Sequence, residues 1–261
     1  MDLRQFERGW IRAISTLSSL SLGLFACSGQ QAERGPELTL SAASSLNFAF
    51  DELAPVFEAE SGVRLLLNFG SSGRLAQQIE RGAPVDLFAS ADPAFLDELS
   101  ADGLIAAATR TVFAHDRLAI WTRHDGPSDV QSLADLSARG IERIAIANPV
   151  HAPFGIAARS ALRRASLWDP LQSRLITAET VRQALYYAET GNVDVALVAA
   201  GLASHTDGRW QLVADDLCEP VEQTIAVLEA TRFPAEARRF VTFLKSSKAQ
   251  TLLGDHGLET D

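Results

Sequence analysis

Two cysteines in 261 residues leave little for covalent staples. Cys27 closes an N-terminal apolar segment, which leaves Cys218 without an intrachain partner, so no structural disulfide is expected. Positive charge is also scarce. The formal net charge is −10, and no basic run follows the N-terminal segment, which argues against nucleic acid as a partner. The five histidines, His115, His124, His151, His205 and His256, are scattered; without HExxH or a Cys/His cluster they do not make a zinc site. GxSxG is missing, and no histidine carries a motif that ties it to Ser72, so hydrolase chemistry has no signature here. The lack of GxxxxGKS/T excludes a P-loop nucleotide hydrolase. No repeat of fixed period is present.

What is present is globular in composition, 47% hydrophobic and 21% charged, enough apolar material for a sizeable core. The length allows one large domain or two smaller ones once an export signal is set aside. Residues 1–26 read as that signal: Arg4, Arg8 and Arg12 make a basic start, and Ile14 to Ala26 is an apolar, serine-rich core, too short and too polar to span a membrane. Leu24-Phe25-Ala26-Cys27 resembles a lipoprotein processing box with Cys27 as the lipidated residue; the alternative is ordinary cleavage with release to the periplasm. Residues 27–36 then read as a polar tether.

Glu37 to Ser41 alternates and predicts a first strand. Leu46, Phe50, Leu53 and Phe57 fall near helical spacing, with Ser44 or Ser45 as the natural cap. Pro55 inside that pattern predicts a kink or a break. Ser61-Gly62 closes the unit, and Val63 to Phe69 predicts a second strand leading into Gly70-Ser71-Ser72-Gly73. A short helix over 74–80 follows, with Leu75 and Ile79 on one face, then a buried strand over 85–89 set off by Gly82 and Pro84. Strand, serine and helix therefore occur twice in succession. This is the alternation of a parallel α/β domain, whose ligands bind beyond the carboxyl ends of the strands. Helix N-termini carry partial positive charge and free N–H donors, so two of them at a common rim suit an anion. An acidic chain must bind an anion with such local donors, against its own field. Further helices are expected over 93–104, 132–139, 156–165, 178–189, 234–244 and 249–253. Further strands are expected over 117–121, 144–147, 193–199, 210–213 and 224–228. Pro153 is well placed for a first helical turn.

The stretch GSSGRLAQQIERGAPVDLFASAD, residues 70–92, resembles the periplasmic molybdate-binding proteins of molybdate ABC transporters, and the likeness runs from about Leu38 to the C-terminus. It implies an α/β, two-lobed periplasmic binding protein of type II, each lobe a mixed sheet flanked by helices, with the ligand in the cleft between lobes. Lobe one is then expected at 37–114 and 219–261 and lobe two at 115–218, with two crossing strands as hinge. The implied role is the solute-binding component of an ABC transporter: it captures molybdate, or tungstate, for delivery to a permease in the inner membrane. Such a protein is periplasmic and monomeric, needs no cofactor and is not an enzyme.

Residue by residue, the family's contacts fall on Ser45, Ser72, Phe154 and Val181, which would hold molybdenum as its oxyanion. The serines would donate by hydroxyl and backbone N–H, and Phe154 and Val181 by backbone only. The departure is Ala199, where many members carry a tyrosine whose hydroxyl reaches the anion. Ser44 is the candidate donor in its place, with the Phe154 ring filling the space. The alternatives are another anion, a ferric ion at Tyr186-Tyr187, or a serine hydrolase. Both tyrosines fall mid-helix, which favours one packed and one at the surface. Arg74 reads as a solvated first-turn side chain.

Overall fold

The computed structural model describes residues 35–127 and 130–260. The expected signal at 1–26, Cys27 and nearly all of the tether lie outside the described residues.

The chain starts as anticipated with two strand–helix units: β1 (Glu37–Ala43), α1 (Asn47–Ser61), β2 (Arg64–Gly70) and α2 (Ser72–Glu80). Then come β3 (Leu87–Ser90), α3 (Pro93–Ala101) and β4 (Thr111–Asp116). After β4 the chain crosses to a second sheet and builds β5 (Leu118–Thr122), β6 (Ile144–Ala147), α4 (Pro153–Arg164) and α5 (Trp168–Leu171). That sheet is completed by β7 (Leu175–Ala178), α6 (Val181–Glu189), β8 (Val195–Ala199), α7 (Ala200–Ala203) and β9 (Arg209–Leu212). The chain then returns to the first sheet as β10 (Val221–Val227) and ends in α8 (Pro234–Leu244) and α9 (Ser247–Asp255).

Each sheet has five strands, in the orders β2-β1-β3-β10-β4 and β7-β6-β8-β5-β9. The first three strands of each order are parallel, and the fourth, the strand that has just arrived from the other sheet, is antiparallel to both neighbours. The two sheets with their helices are two lobes built to one plan. Strands β3, β5, β6 and β8 are buried along their whole length. They read as continuous apolar runs because helices cover both sheet faces.

In α1, Ala49, Phe50, Leu53 and Phe57 form the buried stripe, and Gly62 ends the helix at φ 71°, a left-handed conformation in which glycine carries no Cβ penalty. Phe57 meets Phe240 edge to face, with ring centroids 5.0 Å apart, and this joins α1 to α8.

Three expectations are corrected. Helix α1 is not broken at Pro55. Pro55 lies on the exposed face, and so does Asp51 one turn earlier, whose freed carbonyl water can satisfy. Neither Ser44 nor Ser45 caps a helix by its side chain: they sit inside a 3-10 turn, Ser44–Leu46, that precedes α1. The segment 132–139 makes only a 3-10 turn, Leu133–Ser137, opened by a reciprocal Ser132–Asp135 capping box.

Candidate functional site

Four loops leave the carboxyl ends of parallel strands and converge between the lobes. Those after β1 and β2 carry Ser44, Ser45, Ser71 and Ser72; those after β6 and β7 carry Phe154 and Val181. Ser44, Ser45, Ser72, Phe154 and Val181 are all buried and line one cleft, together with Ser71 and Ala152. The cleft is narrow, with about 190 Å³ of space between atoms, of which about 10 Å³ admits the centre of a water molecule. A compact ion is the size of solute that such a space fits.

Several polar groups in the cleft are donors with nothing to donate to. Ser45 Oγ is buried and has no hydrogen-bond partner among the described residues. Ser72 Oγ accepts the Ala91 N–H at 3.2 Å, which leaves its own proton uncommitted. The backbone N–H groups of Ser45, Ser72, Phe154 and Val181 reach no acceptor among the described residues. An unmatched buried hydroxyl or amide costs on the order of 1–3 kcal/mol, so such a cluster is unfavourable until an acceptor enters. The N-termini of α2, α4 and α6 open at Ser72, Pro153 and Val181 and add their partial positive charge. No charged side chain lines the cleft.

Charged groups stand one layer out, at the mouth. Arg74 on α2 pairs with Glu179 across the cleft at 2.7 Å rather than being merely solvated. His151, in the turn before α4, has Nδ1 2.6 Å from Ser71 Oγ and accepts at Nε2 from Arg74 Nε at 3.4 Å. Burial, and then the Arg74 charge, hold the His151 pKa below the usual imidazole range, so the neutral ring dominates at neutral pH. The Gly73 N–H donates to the His151 carbonyl at 2.9 Å. A Cβ on Gly73 would stand 2.8 Å from that same oxygen, so the second glycine of GSSG is what lets the lobes approach.

Sequence reasoning missed Ser71 and His151. The signal was present in the doubled serine of GSSG and in a histidine three residues before Phe154, but their meeting depends on lobe closure, which no local pattern records. Ala199 is buried at the start of α7 and does not reach the cleft wall. Tyr186 is exposed and Tyr187 is partly packed against the core. No group of three or more His, Cys, Asp or Glu able to hold a metal ion occurs among the described residues.

A larger depression, with about 1310 Å³ of space between atoms, lies at the opposite end of the first sheet, around Thr39, Asp86 and Leu228. Of its two carboxylates, Asp86 and Glu229, Asp86 is engaged already: it accepts the Thr39 N–H at 2.8 Å and the Thr231 hydroxyl at 2.6 Å. Size alone therefore points away from the uncommitted donors.

Residues 38–259 match the model of the bacterial extracellular solute-binding proteins. The chain belongs to that family. Among solute-binding proteins it is similar to one from Azotobacter vinelandii named molybdate-binding protein ModA, 30% identical over 245 residues that cover 92% of this chain and 94% of that one. The Escherichia coli protein of the same name is 32% identical over 241 residues, 89% and 93% of the two chains. The solved structure of the Azotobacter vinelandii periplasmic molybdate-binding protein superposes with a TM-score of 0.81 at 28% identity, covering 86% of this chain and 99% of that one. The paired mixed sheets are the architecture that this solute-binding protein shares with it.

Proposed function

We propose that this protein captures molybdate, or tungstate, in the cleft between its lobes and delivers it to an ABC permease in the inner membrane. The observation that carries this reading is the convergence of uncommitted donors, from Ser45, Ser72, Phe154 and Val181, on a small cleft without charged side chains. A tetrahedral dianion has acceptors only, and a buried site must return about as many hydrogen bonds as desolvation removes. Fixed N–H and hydroxyl donors select by size and shape, where a lysine or arginine would attract any anion. The relatives' names favour molybdate over the other anions.

In this reading 37–114 and 219–261 form lobe one and 115–218 lobe two, joined by the crossings from β4 to β5 and back to β10. The protein works as a periplasmic monomer, held to the membrane when Cys27 is lipidated, and performs no turnover. One observation favours a second reading. Ser71 beside His151, with Glu179 Oε2 3.6 Å from the other ring nitrogen, has the spacing of a hydrolase triad, but that nitrogen accepts from Arg74 Nε where a triad needs it to donate to the carboxylate. The narrowness of the cleft weighs against it, since a substrate ester has no room beside Ser71. Calorimetry with molybdate, tungstate, sulfate and phosphate tests the binding reading. Tight, stoichiometric binding of the first two is expected; a preference for sulfate or phosphate, or ester turnover, would replace it.

A further inference from the structure

The mouth of the cleft fixes one more donor through the tautomer of His151. Arg74 Nε carries a hydrogen and no available lone pair, and it points that hydrogen at His151 Nε2. Nε2 must then be the acceptor nitrogen of the ring. A neutral imidazole has one acceptor and one donor, so the proton of His151 sits on Nδ1. Nδ1 is 2.6 Å from Ser71 Oγ, which makes Ser71 the acceptor of that bond. The Ser71 hydroxyl proton is therefore free to turn elsewhere. It does not cap its own helix, since Ser71 makes no side-chain bond to the first turn of α2. Ser71 is buried and forms part of the cleft wall between Gly70 and Ser72.

We infer that Ser71 is a further oxyanion donor, with His151 as the positioning residue that turns its hydroxyl into the cleft and Arg74 and Glu179 as the pair that fixes the imidazole. This rests on the oxyanion reading of the site. It also supplies what Ala199 lacks, since Ala199 has no hydroxyl and no place on the cleft wall. The missing donor is provided from lobe one under control of lobe two, because His151 and Glu179 belong to the second lobe and Ser71 and Arg74 to the first. The donor is thus aimed only when the lobes meet, and this ties anion recognition to closure. The alternative polarity, with the Ser71 hydroxyl donating to Nδ1, would make the contact a clasp and remove Ser71 from the ligand shell.

The test uses the whole protein and molybdate as probe. Ser71→Ala should weaken binding about tenfold or more, the loss of one hydrogen bond to a charged group. His151→Leu should weaken it as well. His151→Asn should recover much of the affinity, because an asparagine amide can donate from about the place of Nδ1. Nitrogen-15 NMR of the histidine rings at neutral pH should show His151 protonated at Nδ1, and this measurement needs no variant, so it decides the matter even if Ser71→Ala does not fold. A His151 protonated at Nε2, or unchanged affinity of Ser71→Ala while Ser72→Ala is weakened, overturns the inference and leaves the site reading standing. Unchanged affinity in both serine variants overturns the site reading itself.

Discussion

Asp116 should make the stability of this protein fall as pH rises through neutrality. It ends β4, where the chain crosses between lobes, and it is fully buried. Its Oδ1 accepts the N–H groups of Arg117 at 2.7 Å and Gly201 at 3.1 Å. Its Oδ2 has no partner among the described residues. Burial dominates those N–H bonds and pushes its pKa from 3.8 up to about 7. The folded pKa is raised, so the folded state holds more protons than the unfolded state between those two values. The contribution is complete below pH 3.8 and is lost as pH rises through about 7. A shift of roughly three units at 1.36 kcal/mol each sets an upper bound of about 4 kcal/mol. Asp116→Asn keeps the Oδ1 acceptor and removes the charge. Urea unfolding of both proteins from pH 4.5 to 8 should show the variant gaining on the parent with each step in pH, by up to about 4 kcal/mol at the top. Taking the difference cancels the contributions of other titrating groups, including His151 and His205. Parallel curves across that range would refute the reasoning and mean that Asp116 stays ionised in the folded state.

Three further outcomes are expected. Ser72→Ala should lose about tenfold or more in molybdate affinity, read by calorimetry, with the fold kept and the melting temperature lowered by only a few degrees as the Ala91 N–H loses its acceptor; a full-strength site would remove Ser72 from it. Gly73→Ala should hold the lobes apart, because its Cβ would press on the His151 carbonyl at 2.8 Å, so small-angle scattering should show less contraction on adding molybdate than in the parent. Ala199→Tyr should cost about 1–3 kcal/mol of stability by overpacking a fully buried position without improving affinity. Tighter binding by that variant would show that a tyrosine there can still reach the anion.

The parts legible in the sequence were those set by local chemistry. Strands such as Leu87–Ser90 and Val195–Ala199 showed as apolar runs, and Pro153 marked the start of α4. The missed elements lack a local signal. β4 and β7 alternate weakly and carry exposed residues, and they are strands because neighbours at a sheet edge supply the pairing. Pro55 misled for the opposite reason: the local rule is real, but the freed carbonyl faces water and tertiary packing holds the helix. Within the site, Ser72 and Phe154 came from a resemblance, and the structure brings them to one cleft. The resemblance carried no information about Ser71 and His151, which lie 80 positions apart and meet only through closure.

The two layers of the site divide one physical task. An acidic protein, at −10, repels a dianion at long range, so attraction must come from short-range donors. Such donors are costly to leave unmatched. In the cleft they come as backbone N–H groups and serines, which do not change charge over the pH range of an external compartment. The ionisable residues are held one shell out, where Arg74 and Glu179 neutralise one another and add no net charge that would favour one anion valence over another. If capture relied on Arg74 directly, Arg74→Gln would abolish binding. With neutral donors in charge, the same change should alter mainly closure, leaving a weaker site that ranks anions in the same order. That ranking, measured in Arg74→Gln and in the parent, separates recognition by charge from recognition by geometry.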